Sequence, residues 1–352
     1  MFCRAHWTLA ILLFGTVVLP CSAQQSVVQE KSNTTENLRG VSAAPKGVVW
    51  ASGTHGTYLR SLDNGNTWQT AQVAGAEQVD FRDVEAFSAD VAYLLSAGPG
   101  ELSRIYKTTD AGKNWSLQFT NKDPKGFLDC FAFWDETHGV TIGDPVNGKF
   151  EVLMTDDGGK NWTPLPPARL PNAIDGEGAF AASGSCVAVE GKNNLWFATG
   201  GKAARVFQSK DHGNTWTVND TPIAHGSDSA GIFSIAFRDT KHGVIAGGNY
   251  KEADKQGTNL AFTNDGGTTW KPSPVSSQWY FSAVTFDSRD KRTIWVAGSA
   301  GAAYADDVTA TAWTRQWPIN TNALTSSPTG DVFAVGPNGT VVHFVRPTLG
   351  PR

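Results

Sequence analysis

Apolar residues in this chain fall in short runs separated by Gly, Asn, Asp and Ser, and the runs return in a fixed order. One run opens each unit: Leu38-Arg39-Gly40-Val41, Phe81-Arg82-Asp83-Val84, Leu128-Asp129-Cys130-Phe131, Gly184-Ser185-Cys186-Val187, Ile232-Phe233-Ser234-Ile235 and Phe281-Ser282-Ala283-Val284. A second begins at Val48, Val91, Gly139, Leu195, Gly243 and Ile294. A third leads into a polar octamer and a fourth leaves it. Runs this short, bounded by turn residues and rich in β-branched and aromatic side chains, read as strands. Four strands per unit describe one blade of a β-propeller.

The octamers follow S/T-x-D-x-G-x-T/N-W, the Asp-box pattern: SLDNGNTW from Ser61, TTDAGKNW from Thr108, TDDGGKNW from Thr155, SKDHGNTW from Ser209 and TNDGGTTW from Thr263. Their tryptophans, Trp68, Trp115, Trp162, Trp216 and Trp270, are 47, 47, 54 and 54 residues apart. The chemistry is that of a hairpin turn. The carboxylates of Asp63, Asp110, Asp157, Asp211 and Asp265 can accept backbone N–H groups of their own turn. Gly65, Gly112, Gly159, Gly213 and Gly267 can take positive φ at low cost, and the Trp anchors the turn between strands. Turn chemistry accounts for every repeated position, so these Asp residues are read as structural staples rather than acids or metal ligands. No metal site is expected.

A sixth unit has lost its octamer Gly, with Trp313 43 residues after Trp270. A seventh runs from Asn322 to Val345 and supplies only three strands. Ser26-Val27-Val28-Gln29 can add the missing outer strand and close the ring, which removes exposed sheet edges. The fold expected is all-β: a seven-bladed propeller of four-stranded antiparallel blades over residues 37–346, with 24–36 as closing segment and 347–352 as tail.

With 352 residues, plentiful Gly and Trp, and few charges, the composition fits many short strands. The net charge of −4 offers no basic stripe for nucleic acid. Arg4 and His6 precede the apolar run Thr8–Leu19, followed by Cys21-Ser22-Ala23. This reads as a signal peptide over residues 1–23, cleaved after Ala23, and implies a periplasmic or secreted protein. Lipid attachment at Cys21 is the lesser reading, because Pro20 fits that processing poorly. No other segment is a transmembrane candidate. The mature chain keeps Cys130 and Cys186, which have neither zinc nor CxxC spacing and are read as two buried thiols, their pairing left open.

Octamers that join strands 3 and 4 occupy one rim, so the 2–3 loops and the links between blades occupy the other. Ligand-contacting residues are expected there, on loops held by a rigid scaffold. The candidates are Arg39 and Arg82 at equivalent places in strand 1, with Asp83 and Asp129 read as aligning one residue later. The loops add His55, Asp144 and the pair Asn249 and Tyr250. The long connection Leu170–Phe180 adds Asp175 and Glu177. The competing picture is a self-neutralising polar channel filled with water.

Asp-box propellers include glycosidases, whose chemistry needs an acid/base carboxylate and a nucleophile. Only Glu177 with Tyr250 suggests such a pair, and the Arg-Ile-Pro of sialidases is absent. The chain is more similar to the photosystem II stability/assembly factor-like propellers, from about Leu38 to Val345. The similarity rests on VVWASGTHGTYLRSLDNGNTW at Val48, FRDVEAF at Phe81, RIYKTTDAGKNW at Arg104, DPVNGKFEVLMTDDGGKNW at Asp144, GEGAFAASGSC at Gly176 and GIFSIAFRDTKHGVIAGG at Gly231. The stretches at Asp144 and Gly176 resemble an exported bacterial subgroup, whose members are loosely labelled oxidoreductases or glycosyl hydrolases. Photosynthetic members are assembly factors that bind a partner protein, in part through an arginine patch, to which only Arg39 and Arg82 correspond here. An oxidoreductase finds no support in dinucleotide, haem or metal motifs, and no cofactor is expected. The reading is a monomeric, non-catalytic binding propeller of the cell envelope with a protein or glycan partner. Glycoside hydrolysis is the alternative.

Overall fold

The computed structural model describes residues 26–274, 279–309 and 312–345. The signal segment, Cys21 and the 347–352 tail lie outside the described residues. The chain forms a seven-bladed β-propeller, each blade an antiparallel meander of four strands running from the axis outwards, with the two-residue strands Glu177–Gly178 and Gly200–Gly201 added to the sheet of blade V. Blade I is typical, with Leu38–Ala44 innermost, then Val48–Gly53, Thr57–Ser61 and Gln69–Gln72 outermost. Blades II to VI begin with innermost strands Phe81–Ala86, Leu128–Phe133, Val187–Glu190, Ser227–Phe237 and Phe281–Phe286. Blade VII takes Ala323–Ser326, Val332–Gly336 and Thr340–Val345 from the C-terminal end and Ser26–Glu30 from the N-terminal end. Ser26 pairs with Val345 and Glu30 with Val341, so the two ends of the described chain share one sheet.

Apolar side chains fill the spaces between blades. Seven buried clusters occupy the seven interfaces, blade I against II through to blade VII against I. The second strands carry the largest contributions, with Trp50, Trp196 and Trp295 fully buried. This explains why those strands read as continuous apolar runs: both faces meet a neighbouring blade.

The octamer turns have the expected geometry. Asp63 accepts the Thr67 N–H at 2.9 Å, the Thr67 hydroxyl at 2.7 Å and the Ser61 hydroxyl at 2.8 Å. Ser61 Oγ accepts the Gly65 N–H at 2.9 Å, and Trp68 Nε1 donates to the Gly65 carbonyl at 2.8 Å. Gly65 has φ of 81°. Glycine has a second use at this position. A Cβ on Gly65 would lie 2.3 Å from the Phe333 ring of blade VII, and one on Gly112 would lie 2.7 Å from the Tyr58 hydroxyl of blade I. The missing side chain lets the preceding blade press against the turn, where Tyr58 donates to the Gly112 carbonyl at 2.8 Å and Tyr93 to the Gly158 carbonyl at 2.8 Å.

Two local expectations are corrected. Cys130 and Cys186 form a disulfide rather than standing as two thiols, with Cα atoms 5.9 Å apart. The pair joins the innermost strand of blade III to the start of blade IV. The innermost strand of blade IV begins at Val187, not Gly184, because residues 179–185 leave the blade and pass across the channel mouth.

Candidate binding cavity at the channel mouth

On the rim opposite the octamer turns, the channel opens into a cavity of about 1240 Å³. Its wall is built by a repeated irregularity in the innermost strands. In blades I, II, III, V and VI the pairing of strand 1 with strand 2 skips one residue near its start. The skipped residues are Arg39, Arg82, Asp129, Phe233 and Ser282. A β-bulge leaves one residue out of the ladder and re-aims its side chain, and all five line the cavity. Asp129 is therefore the counterpart of Arg39 and Arg82 themselves. The expected alignment of Asp129 with Asp83 was out by one residue: Asp129 holds the second place of its run, as Arg39 and Arg82 do, whereas Asp83 holds the third.

The circle thus has distinct sectors. Blades I and II contribute guanidinium groups, blade III two carboxylates (Asp129 and Asp144), blade V Phe233 and Tyr250, and blade VI Tyr280 and Ser282. Asp175 and Asp228 are exposed on the cavity's outer part.

Much of the inner charge is engaged by the chain itself. Arg39 Nη2 donates to the Ala182 carbonyl at 3.2 Å and Arg82 Nη1 to the Ala181 carbonyl at 3.0 Å. Asp144 Oδ1 accepts the Ala179 N–H at 2.9 Å, and the Ala181 N–H lies against the Asp129 carboxylate. The channel mouth is therefore not simply a water-filled polar pore, since a strap of residues 179–185 lies in it. Arg82 forms a long ion pair with Asp80, at 3.8 Å. Burial, and then the neighbouring Arg82, lowers the Arg39 pKa to about 10. Burial pushes Asp129 well above the usual carboxylate range, and the adjacent Asp144 adds to the rise. Asp144 is raised by burial and held back by the Ala179 N–H.

Glu177 lines the same cavity, but its carboxylate is committed. Arg205 Nε donates to Oε1 at 2.9 Å and Nη2 to Oε2 at 2.5 Å. The Thr199 hydroxyl and the Ile174 N–H complete its shell at 2.6 Å and 2.9 Å. Both residues are buried. A carboxylate saturated in this way anchors the long connection to blade IV. Tyr250 is 47% exposed and stands edge-on to Phe233 and Tyr280, with ring centroids 6.1 and 6.4 Å away.

Of the nine candidate contact residues, Arg39, Arg82, Asp129, Asp144, Asp175, Glu177 and Tyr250 meet in this one cavity. His55 and Asn249 do not line it. His55 is exposed and its Nδ1 lies 2.8 Å from Glu36 Oε2, which raises its pKa. Asn249 accepts the Lys251 N–H at 3.0 Å and starts the short turn Tyr250–Glu252. Sequence reasoning missed Phe233, Tyr280, Ser282 and Asp228 as lining residues, and Arg205 as the partner of Glu177. Phe233 and Ser282 carried a usable signal, since each holds the place after the opening apolar residue that Arg39 and Arg82 hold. Among the described residues no group of three or more His, Cys, Asp or Glu is arranged to hold a metal ion, and no helix is long and apolar enough to cross a membrane.

No family model matches the chain. No curated protein matches it. Solved structures do. The chain is similar to YCF48 from Cyanidioschyzon merolae at 19% identity and a TM-score of 0.64, covering 90% of this chain and 98% of that one. It is similar to YCF48 bound to D1 peptide at 15% identity and a TM-score of 0.63, covering 92% and 97%. A GH74 enzyme from Niastella koreensis matches at 15% identity and a TM-score of 0.57, covering 87% of this chain and 52% of that one. At these identities the likeness is one of fold.

Proposed function

We propose that this chain is a non-catalytic propeller that docks a segment of a partner protein in the cavity opposite the octamer turns, in the cell envelope or outside the cell. The observation that carries the reading is the convergence of guanidinium, carboxylate and aromatic sectors from five blades on one open cavity. Such a surface suits a polypeptide, which offers main-chain and side-chain groups of every kind along one segment. The peptide complex among the similar folds supports the choice of a protein partner. The Cys130–Cys186 disulfide supports export, because disulfides persist in oxidising compartments. Glycoside hydrolysis loses the residue that suggested it, since Glu177 is held by Arg205.

The test uses the cavity's exposed residues. Immobilised wild-type chain and an Asp175→Ala/Asp228→Ala/Tyr250→Ala variant are each exposed to envelope extract, and bound proteins are identified by mass spectrometry. A partner is expected on the wild type, lost from the cavity variant and kept by Asn66→Ala on the opposite rim. Identical capture by all three overturns the proposed face. Turnover of sialosides or other glycosides by the purified chain, abolished in Asp144→Asn, overturns the non-catalytic reading.

A further inference from the structure

The channel mouth already holds a piece of polypeptide. Residues 179–185, Ala-Phe-Ala-Ala-Ser-Gly-Ser, belong to the link between blades III and IV yet reach five other places on the ring. Arg39 of blade I and Arg82 of blade II take adjacent carbonyls, those of Ala182 and Ala181. Asp144 of blade III takes the Ala179 N–H. Ser183 donates to the Ser282 carbonyl of blade VI at 2.7 Å, and Ser185 shares a hydrogen bond with Ser234 of blade V, also at 2.7 Å. Phe180 stacks face to face on Phe233 of blade V, with centroids 3.9 Å apart and planes 6° apart.

Half of these grips fall on the strap's main chain. Two cationic donors hold successive C=O groups and a carboxylate holds an N–H, and such bonds do not depend on which residue carries the group. The side-chain requirements are narrow. One aromatic ring fills the place beside Phe233, and the residues after it are small. At Gly184, where φ is +75°, a Cβ would lie 2.1 Å from Asp83 Oδ1.

We infer that the channel mouth is a receptor for extended polypeptide of the pattern aromatic, small, small, small, glycine, and that the strap is its resident ligand supplied by the same chain. A partner segment of that pattern competes for the grips the strap now uses. The inference rests on the reading that the cavity docks a protein segment, and it names the class of segment.

The test supplies the strap in trans. Phe180→Ala with Gly184→Val removes the ring stack and places a side chain where the backbone and Asp83 exclude one, so the strap loses its seat. The peptide acetyl-AFAASGS-amide is titrated by calorimetry into the full mature chain, with the native fold verified by near-ultraviolet circular dichroism. Wild type is expected to show no binding up to about 1 mM, whereas the double variant binds. Adding Arg82→Ala is expected to weaken that binding by about tenfold or more, the scale for a lost charge-assisted hydrogen bond. A peptide with the Phe moved to the last position is not expected to bind. If the double variant does not fold, Phe180→Ala alone is titrated in the same way and judged by the same outcomes. A folded variant that ignores the peptide at about 1 mM, or binds it regardless of Arg82, overturns the inference. The two readings fail separately: partner capture that survives loss of Asp175, Asp228 and Tyr250 strikes the docking face, whereas absent peptide binding leaves that capture intact.

Discussion

Arg205 reaches across 28 positions of sequence to donate to both carboxylate oxygens of Glu177, and neither side chain is open to solvent. A pair of this kind ties the long III–IV connection to strand 3 of blade IV. Breaking it from one side leaves a buried charge without its partner, which costs about 3–5 kcal/mol. Glu177→Gln and Arg205→Ala are each expected to lower stability on that scale in urea unfolding. If Glu177→Gln unfolds like wild type, the carboxylate is not the anchor described.

The disulfide makes a second stability prediction. Cys130 and Cys186 are 56 residues apart, and closing a loop of that length in the unfolded chain contributes about 4 kcal/mol in the chain-entropy view. Cys130→Ser/Cys186→Ser is expected to lose much of that figure, and a reducing agent should lower the wild-type Tm without changing the Tm of the double variant. Equal melting of oxidised and reduced wild type would show that the bridge contributes nothing.

In the innermost strand of blade II, burial pushes the Glu85 pKa up from 4.5 to about 7 and the Ser42 hydroxyl partly offsets the rise. A carboxyl whose folded pKa lies above its unfolded one stabilises the fold in its protonated form. That contribution is complete below about pH 4.5 and fades as pH rises through about 7. Asp83 and Asp129, raised by burial, act with the same sign. Glu85→Gln keeps the neutral state at every pH, so its advantage over wild type should grow between pH 5 and 8. The difference is bounded by about 3 kcal/mol and reduced by solvent screening, because the side chain is only partly buried by area. Parallel stability–pH curves for the two proteins would contradict this.

Ring closure is open to truncation. Ser26–Glu30 pairs along its whole length with Val341–Val345, and Val27 packs on the cluster between blades VI and VII. A chain starting at Lys31 exposes the edge of the Thr340–Val345 strand. It is expected to melt at lower temperature and to associate at high concentration, as unpaired edges do. Light scattering and thermal unfolding check both, and a monomer with unchanged Tm would show that the closing strand is dispensable.

What the sequence disclosed follows from range. The octamer turns, the blades and the closing strand depend on contacts within one unit or on a repeated pattern, and Ser61 to Trp68 contains every partner its own turn needs. The choice of rim followed from strand count alone, which is why Arg39, Arg82 and Asp144 were found together. Contacts between distant units left no such trace. Glu177 looked like an available acid because Arg205 lies in another strand. Cys130 and Cys186 looked like separate thiols because blade spacing says nothing about which inner-strand residues face one another. Asp129 was legible but misread, since it follows the opening apolar residue of its run as Arg39 and Arg82 follow theirs.

The bulge shared by blades I, II, III, V and VI exempts one position per blade from cross-strand pairing. The strand ladder itself makes no demand on the side chain placed there, and Arg39, Arg82, Asp129, Phe233 and Ser282 differ from blade to blade on one repeated backbone. Exchanging residues at these five positions changes the lining of the cavity without redesigning a loop.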